Sequence, residues 1–297
     1  TTCPRGAPGA VFGISVTSDS NTSSQFLFPY SSFPIYNSCL ASPPLSFNHI
    51  AIGSHPKMPN TRQEAGKIAA FLEERGIQTT HGPMNTPQLI QGVQQGKFDL
   101  WVALGGDGTM LRSGHLCAPH GLPIVGINMG RIGFLTSIQQ DEWPQLLPQM
   151  LAGDYWLEPR MLLRVEHLRG SQCLGTWHVL NEAMVGRGLY MRPVKLIACV
   201  DGHHLTTYFA DGLLAATPTG STAYALAAGG PILPPDLRNI LLVPVAAHLS
   251  FDRPIVLAEG CSVTIVVHTD HAAALSLDGQ PPVDLLDGDR VEVRASE

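Results

Sequence analysis

The run FDLWVALGGDGTMLRSG, from Phe98 to Gly114, constrains the fold more than any other stretch. An apolar strand ends in glycines broken by one carboxylate, Asp107, and helix-compatible residues follow. Two readings of the turn stand side by side. In one, the glycines only reverse the chain. In the other, glycines without side chains let phosphate oxygens approach backbone N–H groups, helped by the positive end of the next helix near Thr109, while Asp107 does chemistry.

The flanking sequence gives this strand its company. FNHIAIGS reads as a short buried strand. In NTRQEAGKIAAFLEERGI, Ala65, Ile68, Ala69 and Leu72 line one face of a helix, Thr61 and Glu64 have capping-box spacing, and Gly76 serves as the C-cap. Strand material at Ile77–Thr79 and Phe98–Leu104 follows, then a short helix, then the buried strand in LPIVGINMG. DEWPQLLPQMLAG spaces Trp143, Leu146, Leu147, Met150 and Leu151 as a helix, with a kink expected at Pro148. This alternation predicts an α/β domain with an open parallel, Rossmann-like sheet. Ligands of such sheets bind at the carboxyl ends of the strands, where GGDG falls. Beyond it, MLLRVEHL, GTWHVLNEAMV, VKLIACV, HHLTTYF and SVTIVVHT are strand-like, with VDGHH as a hairpin turn. A β-rich C-terminal domain is expected. The boundaries read as 1–48 for a disordered or loosely packed arm, 49–158 for the α/β domain and 159–297 for the β-rich domain.

Composition narrows the class. A chain of 297 residues suggests about two domains. With 44% hydrophobic and 14% charged residues it can fill their cores. A net charge of −6 argues against a general nucleic-acid binder. No segment nears the length of a membrane span, and GAVFGISV lacks the flank and cleavage site of a signal peptide. The six cysteines show no CxxC pair or zinc spacing and read as mostly buried reduced thiols. A cytoplasmic setting is expected, with no membrane or nucleic-acid partner.

Two further motifs carry chemistry. GINMGRIGFL (Gly126–Leu135) superficially suggests a dinucleotide fingerprint, but that version needs a helix next and an acid about 20 positions on. Here Asp141 and Glu142 come too soon, so a dehydrogenase is disfavoured. ADGLLAATPTGSTAYALAAGGPIL (Ala210–Leu233) sets Asp211, Thr217, Thr219, Ser221, Thr222 and Tyr224 among small residues. That density of hydroxyls suits a tight pocket reading a nucleoside through hydrogen bonds.

Taken together, GGDGT, GINMGRIGFL, NEAMV (Asn181–Val185), DGLLAATPTGSTAYALAAGGPI and LSLDGQ (Leu275–Gln280) resemble the NAD kinase family over about residues 48–293. The resemblance implies transfer of a phosphoryl group from ATP or polyphosphate to the 2′-hydroxyl of the adenosine ribose of NAD. It makes Asp107 the catalytic proton acceptor, with Gly106 and Gly108 beside the ligand and Arg112 facing phosphate. Asn181 and Glu182 would contact the dinucleotide, and Arg192, Phe209 and Asp211 fall at further contact positions. Thr219 and the run Thr222, Ala223, Tyr224, Ala225, Leu226 and Ala227 would surround the nucleoside. Ala246 and Gln280 complete the pocket, and Phe134 is a packing partner for a base. Magnesium or another divalent cation is implied, with no protein metal ligand assigned, and a homo-oligomer, dimer or tetramer, is expected. Phe209 departs from the pattern, since some members carry a basic residue there. The chain also stops at VEVRASE, where the family usually adds a tail that packs back on the first domain; here the last residues are candidates for that role. A GGDGT lipid kinase and a silent NAD(P)-binding sensor are the alternatives.

Overall fold

The computed structural model describes residues 10–15, 45–130, 133–136, 138–189, 192–248 and 251–296. Apart from the few residues before Phe12, residues up to Glu158 form one compact unit and those from Pro159 onward a second.

The first sheet runs in the order β3 (Gln78–Pro83), β2 (His49–Ser54), β4 (Leu100–Gly105), β5 (Ile124–Asn128), β1 (Ala10–Ser15), β7 (Trp156–Met161), with β6 (Ile138–Gln139) also paired to β5. Strands β1 to β6 pair in parallel. Parallel neighbours require crossovers, and α1 (Pro59–Glu73), α2 (Pro87–Gln94) and α3 (Asp107–Cys117) supply them after β2, β3 and β4. β4 and β5 are buried along their whole length, which explains their unbroken apolar sequences. The chain leaves β2 for β3 on one side, then returns to place β4 on the other. Strand order therefore reverses between β2 and β4, and a crevice opens outside their carboxyl ends.

Local expectations need three corrections. Helix α1 begins at Pro59, two residues before Thr61, because proline at the first helical position loses no intrahelical bond. The Thr61 hydroxyl donates to the Met58 carbonyl instead of capping, and Glu64 is buried, accepting from Trp143 Nε1 at 2.8 Å, Lys67 Nζ at 3.0 Å and Gln140 Nε2 at 3.1 Å. It ties α1 to α4 (Trp143–Leu151), which holds Pro148 in its interior. The second correction concerns segment 1–48, where Ala10–Ser15 forms strand β1 between β5 and β7, with Ile14 fully buried, and where Leu45 and Phe47 pack against the core. A short apolar run diluted by polar flanks had hidden a strand; residues 1–9 and 16–44 lie outside the described residues. The third is the cysteines: of the four described, only Cys117 is buried, and Cys173 is exposed on an edge strand. Gly76 does close α1 in the left-handed region, at φ 79°.

The second unit is two antiparallel six-stranded sheets. One runs β15 (Ile255–Ala258), β14 (Asn239–Val245), β13 (Gly212–Ala216), β10 (Glu182–Arg187), β17 (Ala273–Leu277), β18 (Val283–Leu285). The other runs β12 (His203–Ala210), β11 (Val194–Val200), β16 (Val263–His268), β19 (Arg290–Ala295), β8 (Leu163–Arg169), β9 (Gln172–Val179). Alternate residues of both, such as Val185, Leu213, Leu242, Ile265 and Val291, share one core. β11 and β12 turn at Asp201 (φ 51°) and Gly202 (φ 78°), the pair of positive dihedrals a two-residue hairpin requires. β13 is buried on both faces, because Leu214 and Ala216 on its other side pack with Ala225 and Leu233 of the small-residue segment.

A buried ion cluster fastens the second unit. Asp289, fully buried, accepts from His167 Nε2 at 2.8 Å, Arg169 Nε at 2.8 Å and Nη2 at 2.9 Å, and the Leu286 N–H at 2.8 Å. Burial works to raise its proton affinity, but these donors overcome it and hold the carboxyl well below the usual carboxylate range. The folded protein thus binds this proton less readily than the unfolded chain. The contribution is complete above the ordinary aspartate range and is lost as pH falls below it. Asp289→Ala is expected to cost about 3–5 kcal/mol, the usual toll of stranding buried partners, as read by urea unfolding at pH 7. The difference from wild type should shrink in acid.

Candidate active site

Asp107 is the first residue of α3, and both of its carboxylate oxygens accept backbone N–H groups at 3.0 Å, Oδ2 from Phe134 and Oδ1 from Leu135. The glycine loop and GINMGRIGFL, separate in sequence, therefore meet. Gly133 makes this contact possible, since a Cβ there would sit 2.6 Å from Asp107 Cγ. Phe134 is 55% exposed, its ring held at the site rather than packed into the core.

The glycines divide by purpose. A Cβ at Gly105 would lie 2.7 Å from the Cβ of Thr109, so this glycine serves helix packing. Gly106 has φ −106°, a dihedral any residue adopts, and a Cβ at Gly106 or Gly108 would meet nothing within 4 Å. Neither turn geometry nor internal packing requires glycine at these two places. They leave open space beside a helix start, where the first N–H groups have no intrahelical partner.

Positive charge gathers here as well. Arg112 is exposed one turn after Gly108, and helical side chains lean toward the N-terminus, so it stands over that open face. The loop after β2 brings His55 and Lys57 to the same crevice, since Ser54 is in register with Leu104. His55 Nδ1 accepts the Lys57 N–H at 3.2 Å. Burial first, then the charges of Arg112 and Lys57, lower its proton affinity. His55 and Lys57 escaped sequence reading because HPK after a strand looks like an ordinary loop; only the strand order shows that it shares a crevice with GGDG.

In the second unit, Asn181 and Glu182 stand at the start of β10 beneath the small-residue segment. Thr217 N–H donates to the Asn181 carbonyl at 2.9 Å, and the Tyr224 N–H donates to the Glu182 carboxylate. Gly220 lies so close that a Cβ would approach the Asn181 Cα to 2.7 Å. Asn181 Oδ1 and Glu182 Oε2 are buried acceptors that lack a protein donor. Burial, then the charge of Asp278, push the Glu182 carboxyl up to about 7, against the pull of the Tyr224 N–H.

Three hydroxyls of the segment are taken up by backbone groups around it. Thr217 Oγ1 donates to the Leu180 carbonyl and accepts the Gly220 N–H. Ser221 Oγ donates to the Pro218 carbonyl and accepts the Leu233 N–H, and Thr222 Oγ1 donates to the Thr219 carbonyl. They brace a short 3-10 turn at Thr219–Thr222 and α5 (Tyr224–Ala227). Thr219 is buried, within 3.4 Å of Arg160 Nη1, and Ala225 is fully buried; Ala223, Tyr224, Leu226 and Ala227 are more open.

Not every candidate joins this group. Gln280 follows the Asp278–Gly279 turn that touches Asn181. Asp211 instead lies at the other end of β10, about 16 Å along the strand at roughly 3.3 Å per residue. There it pairs with Arg187 at 3.1 Å. Phe209, half exposed, and Ala246, in the left-handed region at φ 48°, flank it, and Val194 pairing with Ala210 brings the exposed Arg192 to this end. The candidates thus form two clusters in the second unit.

The first unit has a glycine-walled carboxylate at the switch point of an open parallel sheet, and the second has buried acceptors under a braced loop; each is a part of the kind a nucleotide-dependent phosphotransferase uses. Residues 50–155 match the ATP-NAD kinase N-terminal domain and residues 180–297 the ATP-NAD kinase C-terminal domain. The chain is 39% identical over 251 residues to an NAD kinase of Chloroflexus aurantiacus, covering 83% of this chain and 89% of that protein. It is 39% identical over 247 residues to an NAD kinase of Heliobacterium modesticaldum, covering 80% and 86%. Yeast NADH kinase complexed with NADH superposes with a TM-score of 0.74 at 26% identity, over 86% of this chain and 82% of that one. An Archaeoglobus fulgidus NAD kinase in complex with ATP gives 0.66 at 26%, over 84% and 90%. The chain belongs to the NAD kinase family. The lipid-kinase alternative is set aside.

The two uses of glycine make opposite predictions. Gly108→Ala is expected to leave stability within about 0.5 kcal/mol, as a methyl placed in open space should. It should nevertheless raise the Michaelis constant for ATP severalfold. Thermal melting beside ATP titrations checks this; unchanged kinetics would return the motif to a simple turn.

Proposed function

We propose that this chain phosphorylates the 2′-hydroxyl of the adenosine ribose of NAD, with ATP as donor and Asp107 as proton acceptor. The observation that carries the catalytic assignment is Asp107 itself, aligned by two backbone N–H groups and bordered by open space at the strand-order reversal. Phosphoryl transfer depends on positioning and charge neutralisation more than on covalent help. The N–H groups at the start of α3 and the charges of Arg112 and Lys57 suit the donor phosphates, with His55 beside them as a hydrogen-bonding group. Asn181 and Glu182 offer unfilled acceptors to the ribose hydroxyls, and Thr219 with Tyr224–Ala227 wall the nucleoside. Gln280 belongs to the same reading beside Asn181; Arg192, Phe209, Asp211 and Ala246 belong to it as outer contacts, and so do a dimer or tetramer and a cytoplasmic setting. Polyphosphate as an alternative donor asks nothing more of the site than ATP does.

Magnesium fits the donor set. Among the described residues no three His, Cys, Asp or Glu side chains gather into a metal site, and this cation is usually held by one or two carboxylates together with substrate phosphates. Asp107 would hold it alongside the donor, since each of its oxygens spends one lone pair on an N–H and keeps another. The ion supplies neutralisation of phosphate charge. Asp107 orients the hydroxyl and takes its proton, which suffices if the proton leaves late in a loose transition state.

Two measurements test this. Asp107→Asn keeps an acceptor for only one of the two N–H groups and cannot take a proton. Turnover is expected to fall about 10²- to 10⁴-fold in single-turnover assays with NADP-specific detection, with calorimetric NAD binding retained. Near-normal turnover would remove the catalytic assignment and leave GGDGT as a turn. Separately, ribose hydroxyls donate better to a carboxylate than to a carboxylic acid. Because Glu182 ionises at about 7, the Michaelis constant for NAD should fall as pH rises from 6 to 8. Glu182→Gln should flatten that profile.

A further inference from the structure

Asp278, in the LSLDGQ motif, is a buried carboxylate whose two oxygens gather three successive backbone N–H groups. Oδ2 accepts from Leu180 at 2.7 Å, and Oδ1 accepts from Asn181 at 2.8 Å and Glu182 at 2.9 Å. Its own N–H donates to the Glu182 carbonyl at 3.0 Å, closing a ring of bonds around the chain where β10 begins. Asp278 has φ 48° and Gly279 φ 67°, so a tight turn after β17 delivers the carboxylate. Such positive dihedrals are uncommon for a residue other than glycine, and the four bonds hold Asp278 there.

The placement is costly unless it serves something. Asp278 sets a second buried carboxyl beside Glu182, and its charge raises Glu182's proton affinity. A sequence selected only for stability has cheaper ways to start a strand. Among the described residues of this unit, the ring surrounds a stretch where adjacent side chains, Asn181 and Glu182, both keep buried acceptors without a protein donor. Such acceptors bind usefully only if their backbone is fixed before the ligand arrives.

We propose that Asp278 is a positioning residue for NAD: it touches no substrate, but fixes the Asn181–Glu182 backbone so that both side chains meet the ribose hydroxyls together. This rests on the reading that Asn181 and Glu182 contact NAD. Asp278→Asn keeps one acceptor oxygen and puts an amide N–H₂ against the remaining N–H. Asp278→Ala leaves all three N–H groups without the carboxylate.

The dissociation constant for NAD should rise about tenfold in Asp278→Asn and further in Asp278→Ala, as expected when buried donors lose their acceptor. The Michaelis constant for ATP should stay within about twofold and turnover at saturating NAD within about threefold, a split that general destabilisation does not produce. Hydrogen exchange on the unsubstituted protein gives a reading that needs no variant to fold. The amides of Leu180, Asn181 and Glu182 should exchange as slowly as those in the middle of β10. Fast exchange there, an unchanged NAD constant in folded variants, or equal rises in the NAD and ATP constants would overturn the proposal. Wild-type NAD phosphorylation tests the underlying reading separately, because the exchange result does not depend on it.

Discussion

The parallel pairing of β2 with β4 is the constraint on which the first unit's chemistry depends. Ser54 lies opposite Leu104, so the loops leaving these strands emerge at one level. One carries His55 and Lys57, the other Gly105 to Gly108. Because chain order reverses between these strands, their helices cannot close over the gap on the same side, and the crevice remains. A one-residue slip in register would turn the last side chains of β4 to the opposite face and misdirect the start of α3.

The units share a physical device. Asp107 gathers the N–H groups of Phe134 and Leu135; Asp278 gathers those of Leu180, Asn181 and Glu182. Charge-assisted bonds to backbone N–H groups are stronger than neutral ones and fix main chain directly, without a rotamer to hold. In the first unit the carboxylate is itself the proposed reacting group, so its loop tethers it. In the second the carboxylate is the tether and its neighbours are the proposed ligand contacts. The Asp289 carboxylate instead takes three of its four bonds from the side chains of His167 and Arg169.

Much of this was legible in the sequence. The strand-to-helix passage through GGDG, the parallel sheet and the β-rich second half follow from local pattern, because apolar runs and glycine stops act over a few residues. The Asp201–Gly202 hairpin was equally local. What escaped depends on contacts far apart in the chain. Glu64 has capping spacing but answers to Trp143, 79 residues away. β1 is too short and too diluted by polar neighbours to stand out until β5 and β7 flank it. Asp278 reads as a hairpin aspartate beside glycine, and the N–H groups that define its role lie nearly a hundred residues upstream. The separation of Asp211, Phe209 and Ala246 from Glu182 is likewise a matter of register along β10. A motif order cannot supply it.

The hydroxyls of Thr217, Ser221 and Thr222 carry one further consequence. Being bonded to backbone around them, these three hold the proposed nucleoside wall in shape before anything binds. The conformational freedom of that segment is lost when the chain folds, so a nucleoside bound as proposed would have little disorder left to remove. Selection on such a wall acts through contour. On the proposed reading, a purine and a pyrimidine would differ there by how much space they fill, and a single added methylene on the loop would be felt by both.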